Sequence, residues 1–178
     1  MDFVALKAMA AGGDEKAQVE VFLTRLGMGT VSFTAAKEQL QQLKGTDTFA
    51  SMVDDAKSAE IQQHLVNLEF QGALDGLIKA SVDERETART QAADAMYAMK
   101  QEGRIPDSQM AYMFWSIMLS SAMQQEDKKK VLEIAGDWKQ RLDPESRQDQ
   151  RLIEQLDQVL EGAQSEGAPS DAPSAGGK

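Results

Sequence analysis

Asp107-Ser108-Gln109-Met110-Ala111-Tyr112-Met113-Phe114-Trp115-Ser116-Ile117-Met118-Leu119-Ser120-Ser121-Ala122-Met123-Gln124 is the most apolar stretch of the chain. Its large side chains fall on nearly every face of a helical wheel, which predicts a central helix covered on most sides. The run from Met110 to Met123 is broken by three serines and falls short of the roughly 20 residues that a bilayer-spanning helix requires. A water-surrounded, all-α protein is therefore the first expectation.

Working outward, Ile105-Pro106 enforces a turn just before this helix, because the residue preceding proline disfavours helical angles. Gly103 ends the helix upstream, which carries an alanine–methionine stripe at Ala88, Ala92, Ala95, Met96 and Met99. Ser81-Val82-Asp83-Glu84 opens it as a capping box, with hydroxyl and carboxylate each accepting from the other residue's amide. Downstream, residues 124–127 make a tight connection to a helix showing Val131, Ile134, Ala135, Trp138 and Leu142. Asp143-Pro144 then restarts the chain, with Asp143 expected as cap and Pro144 at the first helical position. The last helix presents Leu152, Ile153, Leu156, Val159 and Leu160 before Gly162.

The N-terminal half repeats this punctuation. Residues 2–11 form a short helix stopped by Gly12-Gly13, and Asp14 caps one carrying Val19, Phe22, Leu23 and Leu26. Gly27 is the expected left-handed stop. Phe33, Ala36, Leu40 and Leu43 follow at helical spacing, and a brief helix capped within Thr46 to Thr48 shows Phe49, Met52, Val53 and Ala56. The broad stripe of residues 58–80 suits a helix covered on more than one side, with Gly72 and Gly76 one turn apart for close approach of a neighbouring backbone.

The fold class is thus all-α, an antiparallel helical bundle or a short α-solenoid over residues 1–162, with a candidate sub-boundary near 45–58. Residues 163–178 hold no large apolar side chain and are expected to be a disordered tail, since nothing there offsets the entropy of ordering.

Composition narrows function mainly by exclusion. A formal net charge of −10 over 178 residues argues against gripping phosphate backbones, so nucleic acid is not an expected partner. The same charge argues against an anionic membrane surface. With no cysteine, thiolate metal sites, disulfides and cysteine nucleophiles are absent. Met1 to Lys7 has no basic flank followed by a long apolar run, and a cytoplasmic location is the expectation.

His64 is the only histidine, so no two-histidine zinc site can form. Glu60, one turn earlier, could pair with it. The carboxylates Asp54-Asp55 and Asp83-Glu84 are adjacent rather than spaced for a helical metal site, and Gly27-Met28-Gly29 lacks the Lys-Ser/Thr of a phosphate loop. No catalytic, metal-binding or cofactor-binding residue is assigned, and no cofactor is expected.

Ten methionines are the unusual feature. Unbranched thioethers suit surfaces that adapt to varied apolar partners, although they also fill irregular cores. The candidate partner-binding residues are Met96, Tyr97, Met99, Tyr112, Met113 and Trp115, with Lys128 and Lys129 as a basic element that could clamp an acidic peptide. The partner expected is another protein or peptide. The leading reading is a non-enzymatic interaction module, an adaptor or scaffold using this Met/aromatic-rich helical face. A chaperone or escort for a hydrophobic or secreted client is the alternative, and a third reading is an unfamiliar enzyme using His64.

Met9-Ala10-Ala11-Gly12-Gly13-Asp14-Glu15-Lys16-Ala17-Gln18 resembles the turn of Sel1-type repeats, relatives of the tetratricopeptide repeats, in which Gly-Asp precedes Ala-Gln. Gly27-Met28-Gly29-Thr30-Val31 is similar to the Gly-x-Gly-Val that closes such a unit, with one extra residue, and Val21-Phe22 stands where the family has Leu-Gly. Trp138 through Leu142-Asp143-Pro144 looks like a tetratricopeptide helix ending at its proline, with Gly136 and Lys139 departing from the pattern. The resemblance implies paired helices and transfers no functional residue.

Overall fold

The computed structural model describes residues 2–80 and 85–165. The expected capping box at Ser81–Glu84 and the expected disordered tail, from residue 166 onward, lie outside the described residues. Among the described residues there are nine helices and no strand: α1 Phe3–Ala11, α2 Glu15–Gly27, α3 Phe33–Leu43, α4 Asp47–Met52, α5 Asp55–Lys79, α6 Arg85–Gln101, α7 Ser108–Gln124, α8 Lys128–Gln140 and α9 Arg147–Ser165. The fold is all-α. None of the described helices is long and apolar enough to cross a membrane.

Short polar side chains set most helix starts. Asp14 accepts from the amide of Ala17 at 2.8 Å, Thr46 from Phe49 at 3.2 Å, Asp54 from Lys57 at 2.8 Å and Asp127 from Lys130 at 3.0 Å. Each satisfies one of the orphan amides in a first turn.

The described residues up to Phe114 form one compact unit and those from Trp115 a second, the division falling within α7. In the first unit α2 packs against α1, α3, α4 and α5, and α5 also packs against α3 and α6. Val19, Phe22 and Leu26 of α2 meet Ala36 and Leu40 of α3, Phe49 of α4, and Ile61, Leu65 and Leu68 of α5 in one core. The candidate sub-boundary at 45–58 is therefore corrected. The chain does break helix between Val53 and Asp54, but Phe49, Met52 and Val53 on α4 all pack into the core shared by α2, α3 and α5. Phe70 and Phe114 extend the packing of this unit, with ring centroids 6.0 Å apart and planes tilted by 55°.

The α6–α7 loop is held onto α5 by polar side chains. Gln63 donates to the carbonyl of Ile105 at 3.1 Å, Asn67 pairs with Asp107, and Arg104 bridges Glu69 and Glu102.

The second unit is built from the later part of α7 with α8 and α9. Trp115 and Trp138 stack with centroids 6.4 Å apart and planes 13° from parallel, and the guanidinium of Arg141 lies 5.6 Å from the Trp115 ring centre. Val131, Ile134, Ala135 and Trp138 line the buried side of α8. Lys139 reaches Asp157 across the α8–α9 pair at 2.5 Å.

Four local expectations are corrected. Gly27 is the last helical residue of α2, and Gly29 takes the left-handed conformation at φ 64. The amide of Thr30 bonds back to the carbonyl of Arg25 and that of Gly29 to Leu26, the paired bonds of a Schellman close. The buried Leu26 keeps the helix running past the first glycine. Asp143 and Pro144 form a turn closed by the Ser146 amide on the Asp143 carbonyl, and Ser146 Oγ accepts from the Asp149 amide, so Ser146 is the cap of α9. That helix passes Gly162 and continues to Ser165. Among the described residues a Cβ placed on Gly72 or Gly76 would meet nothing within 4 Å, so no described backbone approaches closely there.

Candidate functional site

The expected partner-binding residues do not form one exposed face. Met96, Met99 and Trp115 are fully buried, at 0%, 2% and 1% exposure. This corrects their assignment to an interaction surface: the thioethers and the indole fill the interior, the other use to which methionine is suited. Tyr97 is half-buried, with Lys100 Nζ 5.6 Å from its ring centre. Tyr112 and Met113 are exposed at 58% and 48%, and Lys128 and Lys129 are exposed too. Helix α7 is therefore not apolar-covered all round as expected, because Tyr112, Met113 and Met123 point outward.

An apolar concavity open to solvent lies in the second unit. It is a groove of about 740 Å³ lined by Met123 at the end of α7, Glu126, Lys128 and Val131 at the start of α8, and Gln155, Gln158, Val159, Gly162 and Ala163 on α9. Its floor is aliphatic, and its polar atoms come from two glutamine amides and one charge of each sign. Of the expected residues it includes Lys128 alone.

The geometry of α9 explains why the groove exists. Leu152, Ile153, Leu156, Val159 and Leu160 make an apolar stripe, but only Leu156 is buried. A stripe of that width suits cover on more than one side, and α8 is the helix that packs against it. The remaining edge, at Val159 and Ala163, faces the groove.

Two smaller and more polar hollows in the first unit share Phe33 in their lining. One, of about 470 Å³, is lined in part by Val31, Leu68, Glu69 and Asp75, and the other, of about 340 Å³, by Lys37, Val66, Glu102 and Arg104. Arg104 is already engaged with Glu69 and Glu102, so its charge is largely spent inside the unit.

His64 is half-buried on α5, with Nε2 3.7 Å from Glu60 Oε1, and Glu60 is exposed. That separation is longer than a hydrogen bond. No group of three or more histidine, aspartate or glutamate side chains among the described residues is placed to hold a metal ion.

No protein-family model, curated protein or solved structure matches the chain.

Proposed function

We propose that this chain is a non-enzymatic protein–protein interaction module whose docking site is the groove between the start of α8 and the second half of α9. One observation carries the reading: an aliphatic floor of Met123, Val131 and Val159, open to solvent and rimmed by Gln155, Gln158 and Lys128. Apolar concavities with a few convergent polar groups are where ligands bind preferentially. The Tyr112 and Met113 side chains, also exposed, are a secondary surface in this reading. The resemblance of residues 9–31 to Sel1-type helical repeats is in keeping with a binding role.

A photo-crosslinking amino acid at Gln155, in the groove, should capture a defined partner in the source cell. The same probe at Glu154, which the helical repeat carries to the opposite flank of α9, should not. Equal capture at both positions, or none at Gln155, would remove the groove as the docking site.

A further inference from the structure

We infer that Met123 is a site of reversible oxidation by peroxide, at which a sulfoxide turns the floor of the α8–α9 groove from apolar to polar. The oxidation stands on exposure and chemistry; its effect on a partner rests on the docking role proposed above.

The chain has ten methionines and no cysteine, so thioethers are its only sulfur. Packing sorts them. Met96, Met99 and Met118 are buried, at 2% exposure or less, while Met9, Met28, Met113 and Met123 are exposed at 42%, 63%, 48% and 51%. Oxidation requires a peroxide oxygen to reach a sulfur lone pair, and a close-packed core denies it that approach. The step balances with one equivalent of oxidant. The sulfur lone pair attacks one peroxide oxygen, and an S–O bond forms as the O–O bond breaks. The departing hydroxide takes the proton of the transferred oxygen and leaves as water. Sulfur loses two electrons to the peroxide. Reversal takes a dithiol-dependent reductase, which returns the thioether and water and leaves a disulfide.

Of the four exposed thioethers, Met123 is the one in the lining of the groove. That lining carries one charge of each sign, Glu126 and Lys128, and two neutral amides, so its apolar character rests on Met123, Val131, Val159 and Ala163. Met123 alone of these can be converted chemically. A sulfoxide oxygen on this floor binds water, and an apolar side chain docking there would strip that water without replacing its hydrogen bonds. Because Met96, Met99 and Met118 are shielded, a peroxide dose that converts Met123 spares the core. The groove changes polarity while the helices around it stay folded.

The test adds hydrogen peroxide to the full chain and follows each methionine by peptide mass spectrometry. Met123 should oxidise together with Met9, Met28 and Met113, and Met96, Met99 and Met118 at least about tenfold more slowly. Far-ultraviolet circular dichroism should be unchanged when Met123 is converted. The absence of native cysteine lets Gln155→Cys carry an environment-sensitive fluorophore in the groove. Its emission should shift to the red on oxidation and return with a sulfoxide reductase and a dithiol. In a Met123→Leu background, which keeps the volume and removes the sulfur, it should stay constant.

Oxidation of Met123 as slow as that of Met118 would overturn the inference. So would a red shift that persists in Met123→Leu, a shift the reductase fails to reverse, or loss of helical signal as Met123 converts. Partner capture by the crosslinker at Gln155 separates the two readings. Oxidation should reduce capture by the parent about tenfold, the effect of one buried polar group without a partner. Oxidised and reduced Met123→Leu should match each other. Undiminished capture by oxidised parent overturns the switch and leaves the docking role standing. No capture by reduced parent removes the docking role, while a reversible red shift that depends on Met123 still supports the oxidation site.

Discussion

Asn67 and Asp107 hold each other by two hydrogen bonds: Asn67 Nδ2 donates to Asp107 Oδ2 at 2.8 Å, and the Asp107 amide donates to Asn67 Oδ1 at 3.1 Å. Asp107 Oδ1 also accepts from the Met110 amide at 3.3 Å, so one carboxylate both caps α7 and anchors its start to α5. Asp107→Ala should cost about 1–2 kcal/mol, the loss of a cap plus a charge-assisted bond. Asn67→Ala should cost about 1 kcal/mol. The double variant should fall short of the sum by about 0.5–1 kcal/mol, because each single change already breaks the shared pair. Strict additivity in chemical denaturation would show that the two side chains act separately.

Trp115 was expected on a binding face and instead stacks on Trp138 beneath Arg141. Trp115→Ala should therefore lower stability by about 3–5 kcal/mol, the usual cost of emptying a large aromatic site. Tyr112→Ala, three residues earlier and exposed, should change it by less than about 1 kcal/mol. Thermal denaturation of the two variants separates these roles. A Trp115→Ala protein as stable as its parent would return the indole to the list of surface groups.

Much of the fold was legible because it depends on local chemistry. Asp14 and Thr46 cap the helices they were positioned to cap, and Asp127 caps α8 from within the connection the pattern proposed, whereas Asp54 caps α5 inside a stretch read as helix through Ala56. Errors arose where two residues could do the same local job. Gly27 and Gly29 both offer a left-handed stop, and the choice was made by Leu26, which must reach the core before the chain can turn. Asp143 and Ser146 both offer a cap, and a proline turn gives the role to Ser146. The site was less legible for a different reason. Met96 and Met113 are chemically identical, and only the packing of α6 and α7 separates a core methionine from an exposed one. Val131 and Val159 read as ordinary core positions, because a helical wheel shows which face is apolar but not how much of it a neighbour covers.

Gly72 and Gly76 lie on the exposed side of α5, and an added methyl at either would touch nothing among the described residues. Gly72→Ala and Gly76→Ala should each raise stability by up to about 1 kcal/mol, through lower unfolded-state entropy and better helix propensity. A rise in denaturation midpoint with unchanged slope is the expected signature. A loss at either position would mean that the glycine accommodates a contact made by the protein in solution.

Glu126 is the one described residue other than glycine with positive φ, at 54°. It closes α7 by the same pair of bonds that ends α2: the Asp127 amide reaches the Ala122 carbonyl at 3.0 Å, and the Glu126 amide reaches Met123 at 3.1 Å. In α1, α2 and α6 the corresponding position is Gly13, Gly29 or Gly103. A side chain held in the left-handed region costs roughly 1–2 kcal/mol relative to a relaxed one, and glycine avoids most of that. Glu126→Gly should therefore stabilise the protein by about 1 kcal/mol, measured by urea denaturation. An unchanged or lowered denaturation midpoint would mean that the Glu126 side chain makes a contact worth more than the backbone strain it carries.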